Sequence, residues 1–182
     1  KARPDRPIRR PRPRSEHSEA AKSPGAHTSI WERPGFLVRR LHQIHVAMFL
    51  DAMSSENITP IQYGLLSILV DRPGLDQLSL AEELGIDRAN VADVLSRLEQ
   101  RKLLTRQTDP HDKRRKICLA LPEGIAFVRK YHDSMQKAQE SLLEPLSVPE
   151  RKTFVSLLRR LVDANNDFGR APLKGFGGDH TN

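Results

Sequence analysis

Two short amphipathic helices separated by one glycine constrain the fold of this 182-residue chain more than any other feature. Ser79 and Glu82 have the spacing of a capping box, which predicts a helix that starts at Ser79 and stops at Gly85. Asp87 can cap a second helix that runs to about Arg101. This second helix carries an apolar stripe that predicts its core-facing side: Val91, Val94, Leu95 and Leu98.

A basic hairpin is predicted directly after the second helix. Leu103–Gln107 and Arg115–Leu121 are predicted as short strands, and Pro110 sets a turn in the polar connection between them. The order helix, short helix, glycine turn, helix and hairpin is that of a winged helix-turn-helix, so we predict a mainly α fold with a small β-wing. In such a fold the second helix reads base edges in the major groove, while the hairpin reaches phosphates or the minor groove.

Four further helices are predicted around this module from apolar periodicity and capping residues. They are Phe36–Ala52, a helix capped by Thr59 and Gln62 that ends at Pro73–Gly74, Glu123–Leu143, and a last helix opened by Ser147 and Glu150. The first and last helices have apolar faces that need a partner, which a two-fold homodimer would supply. We therefore expect a disordered basic arm (1–33), a helical dimerisation region (34–57 and 123–168), a winged helix-turn-helix DNA-binding domain (58–122) and a flexible tail (169–182).

The net charge of +7 is concentrated in two segments. Residues 1–14 contain seven basic residues against one aspartate, together with four prolines that prevent a helix. Residues 101–116 contain seven basic residues against two aspartates. The second segment gives the folded body a face for a polyanion, and the arm can add phosphate contacts or attract an anionic ligand. A solvated arm without a dedicated role fits the composition equally well.

Several classes of protein are excluded by the composition and motifs. No apolar run approaches the ~18 residues of a membrane span and no signal peptide opens the sequence, which favours a cytoplasmic protein without a membrane partner. Cys118 is the single cysteine, so a disulfide framework or a multi-thiolate zinc site is ruled out, and we expect it to be a small core residue. The sequence contains no phosphate-binding glycine loop or catalytic motif, so we expect neither an enzyme nor a cofactor.

The sequence resembles the MarR family of bacterial transcription regulators over roughly residues 34–168. The resemblance rests on Leu78–Asp87, Leu95–Glu99, Arg101–Leu104, Asp109–Arg114 and Leu121–Gly124. The hairpin pattern Asp-Pro-x-Asp followed by basic residues is the part most specific to the family.

Two positions depart from the family pattern. Lys102 stands where the turn after the recognition helix often has glycine, so its side chain must accept the backbone geometry of that turn. Leu121 stands where a threonine usually caps the next helix, and losing such a cap costs about 1 kcal/mol. Neither departure involves a residue expected to read DNA.

The side of the second helix opposite the apolar stripe is predicted to read DNA bases. Arg88 and Arg97 can pair with guanine, and Asn90 can pair with adenine. Ala89 can contact a thymine methyl group, while Asp93 would repel phosphate and is expected to orient an arginine. The alternative is a solvated polar helix face.

The tip of the hairpin provides the second group of predicted DNA contacts. The resemblance implies that Lys113 and Arg114 lie at a wing tip whose arginine enters the minor groove, steadied by an acidic residue such as Asp112. Arg115 and Lys116 are expected to contact phosphates. The alternative is a surface loop with ordinary charges.

The resemblance also implies a small-molecule pocket between the first, second and fifth helices. The residues expected to line it are Arg40, His42, His45, Met48, Tyr63 and Leu66. A cation beside apolar surface suits an aromatic carboxylate or its CoA thioester, and residues 34–43 resemble family members that control aromatic-acid breakdown. Dimer packing and a solvated helix face are the alternative. His42 and His45 alone cannot hold zinc, which needs three or four ligands, so no metal site is expected.

These observations predict a homodimeric, ligand-responsive repressor that binds double-stranded DNA with half-sites about one helical turn apart. An effector would favour a dimer whose reading heads no longer fit that spacing. The alternative is a non-specific architectural protein that uses the basic arm and the wing to bind nucleic acid.

Overall fold

The computed structural model describes residues 29–169 and 171–173 of the chain, which divides into two compact units at Leu37. The predicted arm lies outside the described residues up to position 28, and so does most of the predicted tail. In the described ranges, no helix has the length and apolarity that a membrane crossing requires.

The first unit is described from Ser29 onward. Ile30–Glu32 form a 3₁₀ turn, and the Ser29 hydroxyl accepts a hydrogen bond of 3.4 Å from the backbone nitrogen of Trp31. The Trp31 ring lies edge-on to Phe36, with 5.1 Å between ring centroids. Helix α1 begins in this unit at Pro34, two residues before the predicted start.

Among the described residues, the second unit contains the rest of α1, five further α-helices, both strands and a 3₁₀ turn at Asn166–Phe168. In chain order the elements are α1 (Pro34–Ala52), α2 (Pro60–Asp71), α3 (Gln77–Leu84), α4 (Arg88–Gln100), β1 (Leu104–Thr108), β2 (Lys116–Ala120), α5 (Pro122–Leu142) and α6 (Val148–Ala164). The strands pair antiparallel from Leu104 opposite Ala120 to Thr108 opposite Lys116. A mainly helical fold with a small β-wing is therefore confirmed.

Side-chain caps fix where α2, α3 and α4 begin. The predicted capping box of α2 is present, because Thr59 and Gln62 exchange side-chain to backbone hydrogen bonds. Asp87 caps α4 as predicted. The predicted start of α3 is wrong: the carboxylate of Asp76 accepts from the Ser79 backbone nitrogen at 2.8 Å, so the helix begins two residues earlier. Aspartate and serine cap helices about equally well, and here Asp76, three residues before Ser79, takes the cap position.

The turn after α4 places α5 directly against the end of that helix. Lys102 occupies the left-handed region at φ 56°. The turn thus keeps the backbone geometry that the family usually builds with glycine. The backbone nitrogen of Leu121 donates to the carbonyl oxygen of Leu103 at 3.0 Å, and no side chain caps α5. A Cβ on Gly124 would overlap that same oxygen, so only glycine permits this approach.

The core is formed by α2, α3, α4 and the wing, together with Phe49 of α1 and Val128 and Tyr131 of α5. Its most deeply buried side chains include Leu65, Leu66, Leu80, Val91, Leu95 and Leu98, all with no exposed surface. By contrast, α6 buries no residue and exposes Val155, Leu157, Leu161 and Val162. The module that presents α4 and the wing is thus packed within a single chain.

Candidate nucleic-acid interface

Helix α4 presents one polar face to solvent because its apolar stripe is buried in the core. Arg88, Ala89, Asn90 and Arg97 are all exposed on it, and their role in reading bases stays a prediction. Asn90 is already engaged: its side-chain nitrogen donates to Asp87 at 2.7 Å, while its backbone nitrogen donates to the other carboxylate oxygen. Reading an adenine with Asn90 would therefore share or replace this contact with the helix cap.

The wing tip exposes Lys113 and Arg114. In the described part of the chain, neither side chain forms an ion pair, so both charges remain available to a polyanion. Asp112 does steady Arg114, but through the backbone: its carboxylate accepts from the Arg114 amide nitrogen at 2.9 Å. The arginine head group is therefore free to point outward.

Arg115 differs from its two neighbours because its guanidinium is used inside the molecule. Its Nε donates to Asp76 at 2.9 Å, and one terminal nitrogen lies 3.6 Å from Asp109. Lys116, across the hairpin, donates to the Thr108 hydroxyl at 2.8 Å. Arg115 and Lys116, which were expected to contact phosphates, thus form contacts within the protein that involve the wing.

A second ion pair attaches the wing to α4 and was not among the residues predicted from the sequence. The guanidinium of Arg106 on β1 donates to Glu99 on α4 at 2.6 Å and 3.0 Å, and the Arg106 backbone nitrogen donates to the other carboxylate oxygen. These bonds hold the pKa of Glu99 below its usual value. Glu99 and Arg106 are seven residues apart across a turn, and this pair of opposite charges is the sequence feature that could have indicated the contact.

The residues expected to line an effector pocket have different environments. Arg40 and His42 are exposed, and Leu66 is fully buried in the core. His45 lies 3.2 Å from Gln139 on α5 through its Nε2 atom. Tyr63 packs edge-on against Phe49 and donates to the carbonyl of Val128 at 3.5 Å.

Of the six expected residues, Met48 lines a cavity of about 310 Å³ between α1 and α5. The remaining lining residues were not predicted: Asp51, Ala52, Ser134, Lys137, Ala138 and Ser141. Lys137 places an ammonium group and Asp51 a carboxylate at this cavity, whereas the predicted cation, Arg40, does not line it. Four of the lining residues lie on one face of α5, because positions 134, 137, 138 and 141 are three or four residues apart. That spacing is the sequence feature that could have identified the face.

Cys118 lies in β2 with 2% of its surface exposed, in agreement with a core role. Burial raises the pKa of its thiol to about 11, so it remains protonated at neutral pH. Among the residues the structure covers, no three His, Cys, Asp or Glu side chains are grouped to hold a metal.

Comparison with known proteins places this arrangement in a family. The sequence profile of the MarR family matches residues 56–115. A putative transcriptional regulatory protein for the hcr operon of Thauera aromatica is 30% identical over 161 residues, which cover 88% of this chain and 96% of that protein.

Two solved structures show the same similarity in three dimensions. The PcaV transcriptional regulator from Streptomyces coelicolor, in complex with its natural ligand, is 38% identical with a TM-score of 0.70, over 76% of this chain and 98% of that chain. Bordetella bronchiseptica BpsR, whose DNA binding is regulated by 6-hydroxynicotinic acid, is 32% identical with a TM-score of 0.72, over 76% of this chain and 99% of that chain.

A winged helix-turn-helix with a solvent-facing α4 and a basic wing tip is typical of a DNA-binding transcriptional regulator. The chain belongs to the MarR family of such regulators. The family and these relatives are regulators of transcription rather than enzymes, which confirms the expected class.

Proposed function

We propose that this regulator is a homodimeric repressor that binds a pseudo-palindromic operator and is released by a small aromatic acid or its CoA thioester. The observation that carries the proposal is the exposed cationic tip at Lys113 and Arg114, on the same module as the exposed polar face of α4. The helix would read bases in the major groove, while Arg114 enters the adjacent minor groove.

Exposed apolar side chains outside the DNA-reading module support the homodimer. Leu157 and Leu161 on α6 are 48% and 59% exposed, and Ile44 and Leu50 on α1 are 40% and 51% exposed. A two-fold axis would bury these faces against their copies and place two α4 helices at successive major grooves.

For the effector we propose the region between α1 and α5. The cavity beside Met48 combines apolar surface with the Lys137 ammonium and the Asp51 carboxylate, and in our proposal the ammonium receives a carboxylate on an aromatic ring. His45, Tyr63 and Arg40 lie on α1 and α2 and remain proposed contributors to this region. The relative BpsR responds to an aromatic acid of this class.

Fluorescence anisotropy at ~150 mM salt tests DNA reading. We expect DNA from upstream of the protein's own gene to bind ~10³-fold more tightly than a scrambled duplex. Arg114→Ala should weaken operator binding about tenfold or more, because one minor-groove contact is lost. Arg129→Ala, which removes an exposed arginine from α5, is the matched control and should leave affinity unchanged. Equal binding to both duplexes would instead indicate the architectural protein.

Titration of 6-hydroxynicotinic acid, other aromatic acids and their CoA thioesters into the DNA complex tests the effector. Release by one of them would support the proposed class, and Lys137→Ala should then raise the concentration required. If none releases the DNA, the proposed effector class is wrong.

Deletion of residues 1–28 tests whether the basic arm contacts DNA. If the arm contacts phosphates, its removal should make binding less dependent on salt. The slope of log affinity against log salt concentration should become shallower by about 0.9 for each lost contact. An unchanged slope would leave the arm without a role on DNA.

A further inference from the structure

The guanidinium of Arg115 joins the wing to α3. Its Nε donates to the Asp76 carboxylate at 2.9 Å, and its other end lies 3.6 Å from Asp109 in the hairpin loop. The backbone of Arg115 also closes this loop, because its nitrogen donates to the Asp112 carbonyl and its carbonyl accepts from Asp109, each at 3.0 Å. Both the backbone and the side chain of Arg115 are therefore committed to the base of the loop.

Asp76 is a fixed anchor for this ion pair. One carboxylate oxygen caps α3 by accepting from the Ser79 backbone nitrogen, and the other accepts from Arg115. Its backbone forms an isolated antiparallel bridge with Ile117 of β2. The Ser79 hydrogen bond first, and Arg115 as a further contribution, hold the pKa of Asp76 below its usual value, so the carboxylate is charged at neutral pH.

We propose that Arg115 is a positioning residue for DNA binding, which orients the wing tip through Asp76 rather than contacting phosphate itself. This inference rests on the proposed function, because it assumes that Lys113 and Arg114 touch DNA. The role differs from that of Arg114, whose side chain has no ion pair among the described residues.

The geometry of the hairpin explains why a contact at the loop base matters at the tip. Strands of five residues, as in β1 and β2, span about 17 Å at about 3.4 Å per residue. A tilt of ~10° over that length moves the tip by about 3 Å, the length of a hydrogen bond. Arg106 fixes the wing on α4 through Glu99, and Arg115 fixes it on α3, so two separated anchors resist this tilt.

Asp76→Asn distinguishes a positioning role of Arg115 from a phosphate contact, because the two roles predict different changes in DNA affinity. Asparagine keeps an oxygen that caps α3, but it removes the charge that holds Arg115. If Arg115 only contacts phosphate, removing a nearby carboxylate strengthens binding to DNA or leaves it unchanged. If Arg115 positions the wing through Asp76, the same substitution weakens binding.

The experiment measures operator affinity from 50 to 200 mM salt for wild type, Arg115→Ala, Asp76→Asn and the double variant. We expect each single variant to bind about tenfold more weakly with an unchanged salt slope, and the double variant to bind no more weakly than the worse single variant. Thermal unfolding checks that each variant is folded, and Asp76→Ser replaces Asp76→Asn if the latter is not.

The outcomes separate this inference from the proposed function. Unchanged or tighter binding by the Asp76 variant overturns the positioning role, as does a salt slope that falls by about 0.9 in Arg115→Ala. Additive losses in the double variant overturn it as well. If the wild type shows no preference for the operator, the proposed function fails, and the variants are compared on the duplex that the wild type does bind.

Discussion

The winged helix-turn-helix and α6 differ in how completely one chain buries their apolar side chains. Leu95 on α4 has no exposed surface, whereas Leu161 on α6 is 59% exposed although both helices carry an apolar stripe. The first region is therefore stabilised by contacts within one chain. The second has its apolar surface available for a partner, which in our proposal is a second copy.

The same substitution in the two regions tests this difference, and the largest effect is expected in the core. Leu95→Ala removes a fully buried side chain and leaves a cavity, so the free energy of unfolding should fall by about 2–5 kcal/mol. Urea denaturation followed by circular dichroism measures it. A loss below about 1 kcal/mol would mean that the module is not packed as described.

Leu161→Ala should act on self-association instead. If α6 is covered by a second copy, truncation at this position weakens dimerisation by about 1.5 kcal/mol, or roughly tenfold in the dissociation constant. Analytical ultracentrifugation gives that constant. Leu78→Ala, at a leucine that is 41% exposed on α3, is the control and should leave the constant unchanged. Equal effects of the two substitutions would remove α6 from the dimer interface.

The same contrast separates what the sequence predicts from what it does not. Caps act over three residues, so the starts of α2 and α4 are readable locally, while α3 is misread because Asp76 competes with Ser79 for that role. The ion pair between Asp76 and Arg115 joins residues 39 positions apart, and no local pattern reports it. The face of α5 around Lys137 was likewise missed, because a cavity depends on which helices pack together.

A lysine-to-glycine substitution is expected to change the free energy of unfolding by a smaller amount, and in opposite directions at Lys102 and in α6. The φ of 56° at Lys102 is strained for a residue with a side chain, so Lys102→Gly should raise the free energy of unfolding by about 0.5–1 kcal/mol. The same change inside α6, Lys152→Gly, should lower it by about 1 kcal/mol because glycine weakens a helix interior. Urea denaturation of both variants checks the signs. Destabilisation by Lys102→Gly would contradict the left-handed turn.

Glu56 lies where the DNA-reading module meets α5, in the connection between α1 and α2. Its carboxylate accepts from the Tyr131 hydroxyl at 2.6 Å, and the nitrogens of Lys130 and Arg101 lie 3.5 Å and 3.6 Å away. Arg101, at the end of α4, also donates to the carbonyl of Asn57 at 2.6 Å. The Tyr131 hydrogen bond, with smaller contributions from the two cations, lowers the pKa of Glu56.

Because the pKa of Glu56 is lowered, this carboxylate makes a pH-dependent contribution to the free energy of unfolding. Because the folded protein holds the proton more weakly than the unfolded chain, Glu56 stabilises the fold above the ordinary glutamate pKa of about 4.3. That contribution is lost as the pH falls below this value and through the folded pKa. Glu56→Gln should therefore cost less than about 1 kcal/mol at pH 7 and make the acid side of the stability curve shallower. Urea denaturation from pH 3 to pH 7 measures the curve, with the exposed Glu140→Gln as control. Matching slopes for wild type and Glu56→Gln would show that the carboxylate does not stabilise the contact between the end of α4 and α5.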